Sequence, residues 1–168
     1  MTNWRVSAVM LSLLLVSLAG WPGPAEAQRI TMYSCADAQL ESYGVNASAF
    51  HPVLCRGEFS ATDPYLVLYA QVAPVTRETQ IAIELLDPDG VPAFSHAGVL
   101  TPVPASPTSF TFSYVLPLAA DVGEVAKKLP FMSLILLGRP ARERLGVWTW
   151  KLSLRPGSSA TLRFTVKP

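Results

Sequence analysis

Gly146-Val147-Trp148-Thr149-Trp150-Lys151-Leu152-Ser153-Leu154-Arg155, followed after Pro156-Gly157 by Thr161-Leu162-Arg163-Phe164-Thr165-Val166-Lys167, decides the fold. Trp148, Trp150, Leu152 and Leu154 alternate with Thr149, Lys151 and Ser153. Leu162, Phe164 and Val166 alternate with Thr161, Arg163, Thr165 and Lys167. A period of two puts each set on its own face of a strand, one face buried and one solvated. Pro156-Gly157 turns the two strands into a hairpin.

The same alternation recurs upstream. Leu66, Leu68, Ala70 and Val72 oppose Tyr65, Val67, Tyr69 and Gln71. Ile81, Ile83 and Leu85 oppose Gln80, Ala82 and Glu84, and Asp87-Pro88-Asp89-Gly90 then reads as a type I turn with glycine taking positive φ. Phe110, Phe112, Tyr114 and Leu116 oppose Thr111 and Ser113. Fifteen prolines punctuate the chain, and turn signals recur about 8–12 residues apart, as in an all-β sandwich or barrel.

Other segments depart from the pattern. Leu118 to Leu129 contains helix formers and a start signal at Asp121, so a short crossover helix is expected there. Phe131 to Leu137 is apolar except for Ser133, which reads as a strand covered on both faces or meeting a partner. Thr101 to Pro107 reads as a stiff extended connector. Ser95-His96-Ala97-Gly98 reads as a loop, and Ala36 to Tyr43 as a helical turn.

The first residues form an export leader. Met1 to Arg5 is a short basic region, Val6 to Ala19 is apolar apart from three serines, and Ala25-Glu26-Ala27 offers small residues to a signal peptidase. Cleavage is expected after Ala27. The apolar run falls short of the roughly 20 residues that span a bilayer, and no transmembrane helix is expected in the mature chain. The expected organisation is a signal peptide over 1–27, a separate-looking N-terminal segment over 28–56 and a β-sandwich over 57–168. Cys35 and Cys55 are the only cysteines. In an exported chain they are expected to form a disulfide that ties the N-terminal segment. Asn46-Ala47-Ser48 is a glycosylation sequon of little weight, because the Ala-, Pro- and Arg-rich composition reads as bacterial.

Gly146-Val147-Trp148-Thr149-Trp150 and Arg163-Phe164-Thr165-Val166 together resemble the closing hairpin of bacterial exported immunoglobulin-like domains. Asp87-Pro88-Asp89-Gly90 resembles a turn found earlier in such domains, and the resemblance runs from Gly57 to Pro168. It implies an immunoglobulin-like antiparallel β-sandwich and no activity. The cysteines depart from the antibody pattern, since both precede the main strands.

Half of the residues are apolar and only 15% are charged, which excludes a disordered chain. A net charge of +1 gives no overall reason to bind nucleic acid. The sequence contains no nucleophile elbow, phosphate loop or dinucleotide fingerprint. His51 and His96 read as exposed or capping, and Asp87 and Asp89 as turn residues rather than calcium ligands. No catalytic residue, metal or cofactor is expected. Trp148 and Trp150 share a face with leucines and read as core, whereas Tyr65 and Tyr69 read as an exposed aromatic strip.

Charge is unevenly distributed. Residues 28–124 carry three basic and ten acidic side chains, a net −7, and residues 125–168 carry nine basic and one acidic, a net +8. Arg139, Arg142 and Arg144 cluster before the closing hairpin, and Lys151, Arg155, Arg163 and Lys167 fall on its outward faces. This stripe could serve a protein partner or an anionic envelope component. Alternatively Glu58, Glu78 and Glu84 could neutralise it from neighbouring strands. The expectation is a non-catalytic protein of the bacterial periplasm or secreted medium, acting by contact as an accessory protein or assembly subunit. A module binding a small ligand, a glycan or an anionic polymer is the alternative.

Overall fold

The computed structural model describes residues 27–42, 48–104, 108–128 and 141–168. The strands are β1 (Arg29–Ser42), β2 (Ser48–Cys55), β3 (Glu58–Ser60), β4 (Tyr65–Val75), β5 (Thr79–Leu86), β6 (Pro92–Leu100), β7 (Thr108–Pro117), β8 (Gly146–Arg155) and β9 (Ser159–Lys167). Among the described residues, one helix, α1 (Val122–Lys128), and a 3-10 turn, Ala141–Glu143, lie between β7 and β8. The strands form a four-stranded sheet, β2-β1-β4-β7, and a five-stranded sheet, β3-β9-β8-β5-β6. Every pairing is antiparallel except β3 with β9.

The alternating side chains meet between the sheets. Leu66, Leu68, Ala70 and Val72 of β4 are fully buried against Ile81, Ile83 and Leu85 of β5 and the inward residues of β8 and β9. Trp148 stacks on Phe164, Tyr114 meets Trp150 edge-on, and Phe59 meets Phe164 edge-on. Rings of this size dominate the apolar area that the sandwich removes from water. The described residues form an all-β sandwich-like fold with one short helix and a Cys35–Cys55 disulfide.

Local chemistry fixes the connections. The Asp87 Oδ1 atom accepts hydrogen bonds from the backbone N–H of Asp89 and of Val91, and Gly90 N–H donates to the Asp87 carbonyl. Gly90 takes φ 78°, as the turn requires. Gly146 opens β8 at φ 135°, and a side chain there would place its Cβ 2.9 Å from Pro88. Asp121 caps α1, accepting the Glu124 N–H at 2.8 Å. The helix therefore starts where the sequence places it.

Three expectations are corrected. Ala36 to Ser42 is strand rather than helical turn: β1 pairs with β2 from Cys35↔Cys55 to Ser42↔Ser48. Ala, Gln, Leu and Glu favour helix locally, but a long-range ladder and a disulfide override so small a preference. Residues 95–98 belong to β6, paired with β5 from Thr79↔Leu100 to Leu86↔Pro92. Small residues there carry no local strand signal, so the neighbouring strand decides. The N-terminal segment does not stand apart, because β1 pairs with β4 from Arg29↔Ala73 to Cys35↔Val67 and becomes a strand of the sandwich. The expected leader up to Glu26, the start of the Asn46 sequon, the end of the connector at residues 105–107, Phe131–Leu137 and Arg139 lie outside the described residues. No helix among the described residues is long and apolar enough to cross a membrane.

Candidate functional site

The two sheets differ in what their outer faces meet. On the four-stranded sheet, Tyr65, Val67 and Val115 point away from the main core yet are buried. Register places Cys35, Val67 and Val115 side by side across β1, β4 and β7. A second, smaller buried set therefore backs this sheet. Tyr65 is 1% exposed and donates from its hydroxyl to Asp37 Oδ1 at 3.0 Å. Its pKa is pushed up to about 12, first by burial and then by the hydrogen bond and charge of Asp37. Burial alone pushes Tyr114 up to about 12.

The aromatic strip is corrected accordingly. Tyr65 is not exposed, because the outer face of β4 is covered at its N-terminal half. Tyr69, further along, is half-buried and lies beside Tyr33 of β1, ring centroids 6.3 Å apart, with Tyr33 exposed. The strip is Tyr33 with Tyr69. Reading β1 as a strand would have paired them.

The outer face of the five-stranded sheet is solvated. Register sets Ala97, Ala82, Ser153 and Ser159 in one row across β6, β5, β8 and β9. Ser95, Glu84, Lys151 and Thr161 form the next row, and Leu86, Thr149 and Arg163 the one after. Small side chains leave a shallow depression of about 460 Å³ across the first two rows. Arg155 lies beyond one end of the rows and Arg163 at the other, both exposed.

The basic residues divide into two groups. Arg144 binds the carboxylate of Asp87, which is only 3% exposed, and its carbonyl accepts from Trp148 Nε1 at 3.0 Å. It therefore fastens the β5–β6 turn to the start of β8 and leaves the expected stripe. Lys151 lies 3.7 Å from Glu84, and Lys167 lies 2.7 Å from Glu58. All four of these side chains are 41% exposed or more, so water screens both pairs. Arg155 and Arg163 form no ion pair among the described residues. The side chain of Arg142, like Arg139, lies outside the described residues.

No reacting constellation is assembled from the other residues singled out. His51 lies on β2 and His96 on β6, in different sheets. Both oxygens of Asp87 are taken by protein donors. Among the described residues, no group of three or more metal-ligating side chains comes together. Sequence reading missed the pairing of Arg56 with Asp63 at 2.6 Å, which sets the Arg56 guanidinium over Phe59.

No family model matches the chain, and no curated protein is similar to it. Among solved structures, a β-glucosidase from Listeria innocua is similar in part. Its complex with gluconolactone gives 9% identity and a TM-score of 0.39, and its complex with glucose gives 9% and 0.38. Each match covers 84% of this chain and 16% of the other. The chain thus spans less than a fifth of the enzyme's length, and a score at this level assigns neither fold nor activity.

Proposed function

We propose that the protein is an exported, non-catalytic β-sandwich of immunoglobulin-like type that works by contact, as an envelope accessory protein or assembly subunit. The outer face of the five-stranded sheet is its contact surface. The observation that carries this reading is the contrast between the two outer faces. One is covered over Tyr65, Val67 and Val115, all buried, and open only further along, as at Tyr33, and the other is wet throughout and carries Arg155 and Arg163 without ion partners among the described residues. Strand-held cations on a rigid sheet suit an acidic protein surface or an anionic envelope polymer. The leader and the disulfide support an oxidising, exported setting.

A glycan-binding reading draws on one specific feature, the hydroxyl-lined depression around Ser153, Ser159 and Thr161. It needs the same face. The native size of the mature protein in a gentle extract, followed by size exclusion and immunodetection at low and high salt, tests the proposal. Elution well above two copies of the chain at low salt, collapsing at high salt, is expected. Elution at one or two copies at both salts would contradict the assembly reading and send the search to glycans.

A further inference from the structure

Strand β6 ends the five-stranded sheet, and among the described residues nothing pairs with its outer edge. The other edges are guarded over part or all of their length. β3 is three residues long with the Glu58–Lys167 ion pair on it, and β2 contains Pro52 and, at Leu54, a positive φ of 56°. The final four residues of β7, Tyr114 to Pro117, are buried. By contrast, β6 runs for nine residues, Pro92-Ala93-Phe94-Ser95-His96-Ala97-Gly98-Val99-Leu100, with no acidic or basic (Lys or Arg) residue; its register against β5 shifts only at its start, between Phe94 and Pro92, and Phe94 to Leu100 is regular. Long uncharged edges invite pairing, and monomeric proteins blunt them. Three of the seven large exposed apolar residues among the described residues, Val91, Val99 and Val103, sit on or beside this strand.

We propose that β6 pairs antiparallel with β6 of a second copy, about a two-fold axis through His96, joining two five-stranded sheets into one. The strand is complementary to itself in that register. Over the regular stretch Phe94 falls opposite Gly98 and Ser95 opposite Ala97, on either side of His96. A two-fold axis normal to the sheet keeps the faces matched: Phe94, His96 and Gly98 pair with β5 at the inward residues Leu85, Ile83 and Ile81, so they lie on the inner side in both copies. A large side chain meets a small one where Phe94 faces Gly98, and an aromatic ring beside a cross-strand glycine is a favoured arrangement. One strand pair is a small interface, so the association is expected in the micromolar range.

Sedimentation of the mature chain over that range, with Ala97→Lys alongside, tests the proposal. The wild type is expected to pass from one copy to two as concentration rises. Ala97 is exposed at the edge, so Ala97→Lys should keep the far-UV spectrum and remain a single copy. A wild type that stays monomeric overturns the proposal, as does an Ala97→Lys protein that dimerises equally well. Should the variant fold poorly, amide exchange on the wild type decides: β6 amides must exchange more slowly at high concentration, and unchanged exchange overturns the pairing. The contact reading of the sheet's outer face stands apart from this result, since a monomer retains that face.

Discussion

The two sheets share one core but differ in their second faces. Along the N-terminal half of β4 the four-stranded sheet is buried on both sides, with Leu66 and Leu68 on one and Tyr65 and Val67 on the other. Along β8 the five-stranded sheet is buried on one side only, with Trp148, Trp150 and Leu152 inward and Lys151 and Arg155 in water. Burial on a second face decides where the molecule has surface left for contact. Residues on the sealed face are committed to stability, and residues on the wet face are free to meet another molecule.

A carboxylate placed on each second face should break or confirm this contrast. Val67→Asp puts a charge into the buried set and should cost more than about 4 kcal/mol, leaving little folded protein. Thr161→Asp, on the wet face, should change stability by less than about 0.5 kcal/mol. Urea unfolding followed by circular dichroism measures both. Equal effects would mean that the two faces do not differ.

The disulfide sits at the margin of the sealed face, joining Cys35 of β1 to its direct partner Cys55 of β2. Its loop of about 20 residues implies a loss of about 3 kcal/mol when both cysteines become alanine. Because β1 also pairs with β4, that loss should appear in the unfolding of the whole sandwich. A separate early transition confined to the N-terminal hairpin would show instead that β1 is only loosely joined.

Tyr65 sharpens the comparison through pH. Its folded pKa, about 12, lies above the ordinary tyrosine value of 10, and Tyr114 behaves alike. Below about pH 10 both tyrosines are protonated in folded and unfolded chains, and their full contribution is present. Between about 10 and 12 the unfolded chain releases protons that the folded chain retains, so stability falls as pH rises. Tyr65→Phe should lose about 1 kcal/mol at neutral pH through the bond to Asp37, and should flatten part of the alkaline fall. An unchanged alkaline limb would place Tyr65 in water.

The smallest effects are expected from the paired lysines of the wet face. Lys151→Ala and Lys167→Ala should each alter stability by less than about 1 kcal/mol, because their pairs with Glu84 and Glu58 are exposed. A larger loss would mean that these cations serve the fold first.

Legibility in the sequence followed the same division. Strands β5, β8 and β9 could be read residue by residue, since one wet face forces a period of two. The Asp87–Gly90 turn and the Asp121 cap were legible because their chemistry is local. By contrast, β1 carries helix formers and β6 carries small residues, so only their partners reveal them as strands. Alternation placed Tyr65 and Tyr69 on one face of β4 but could not say that Tyr65 would be sealed and Tyr69 left beside Tyr33. The basic residues of the closing hairpin were visible, along with Glu58 and Glu84 as possible neighbours. Removing Arg144 from the stripe required knowing that the β5–β6 turn packs against the start of β8.

The wet face is the centre of the account, and charge reversal tests it most directly. The double variant Arg155→Glu and Arg163→Glu, expressed in place of the wild type, is sized in a gentle low-salt extract beside it. Both side chains are exposed and form no ion pair among the described residues, so the fold should survive the change. The wild type is expected to elute in a larger assembly, and the variant at one or two copies. A variant that keeps the wild-type elution in that assembly would contradict the assignment of this face as the contact surface.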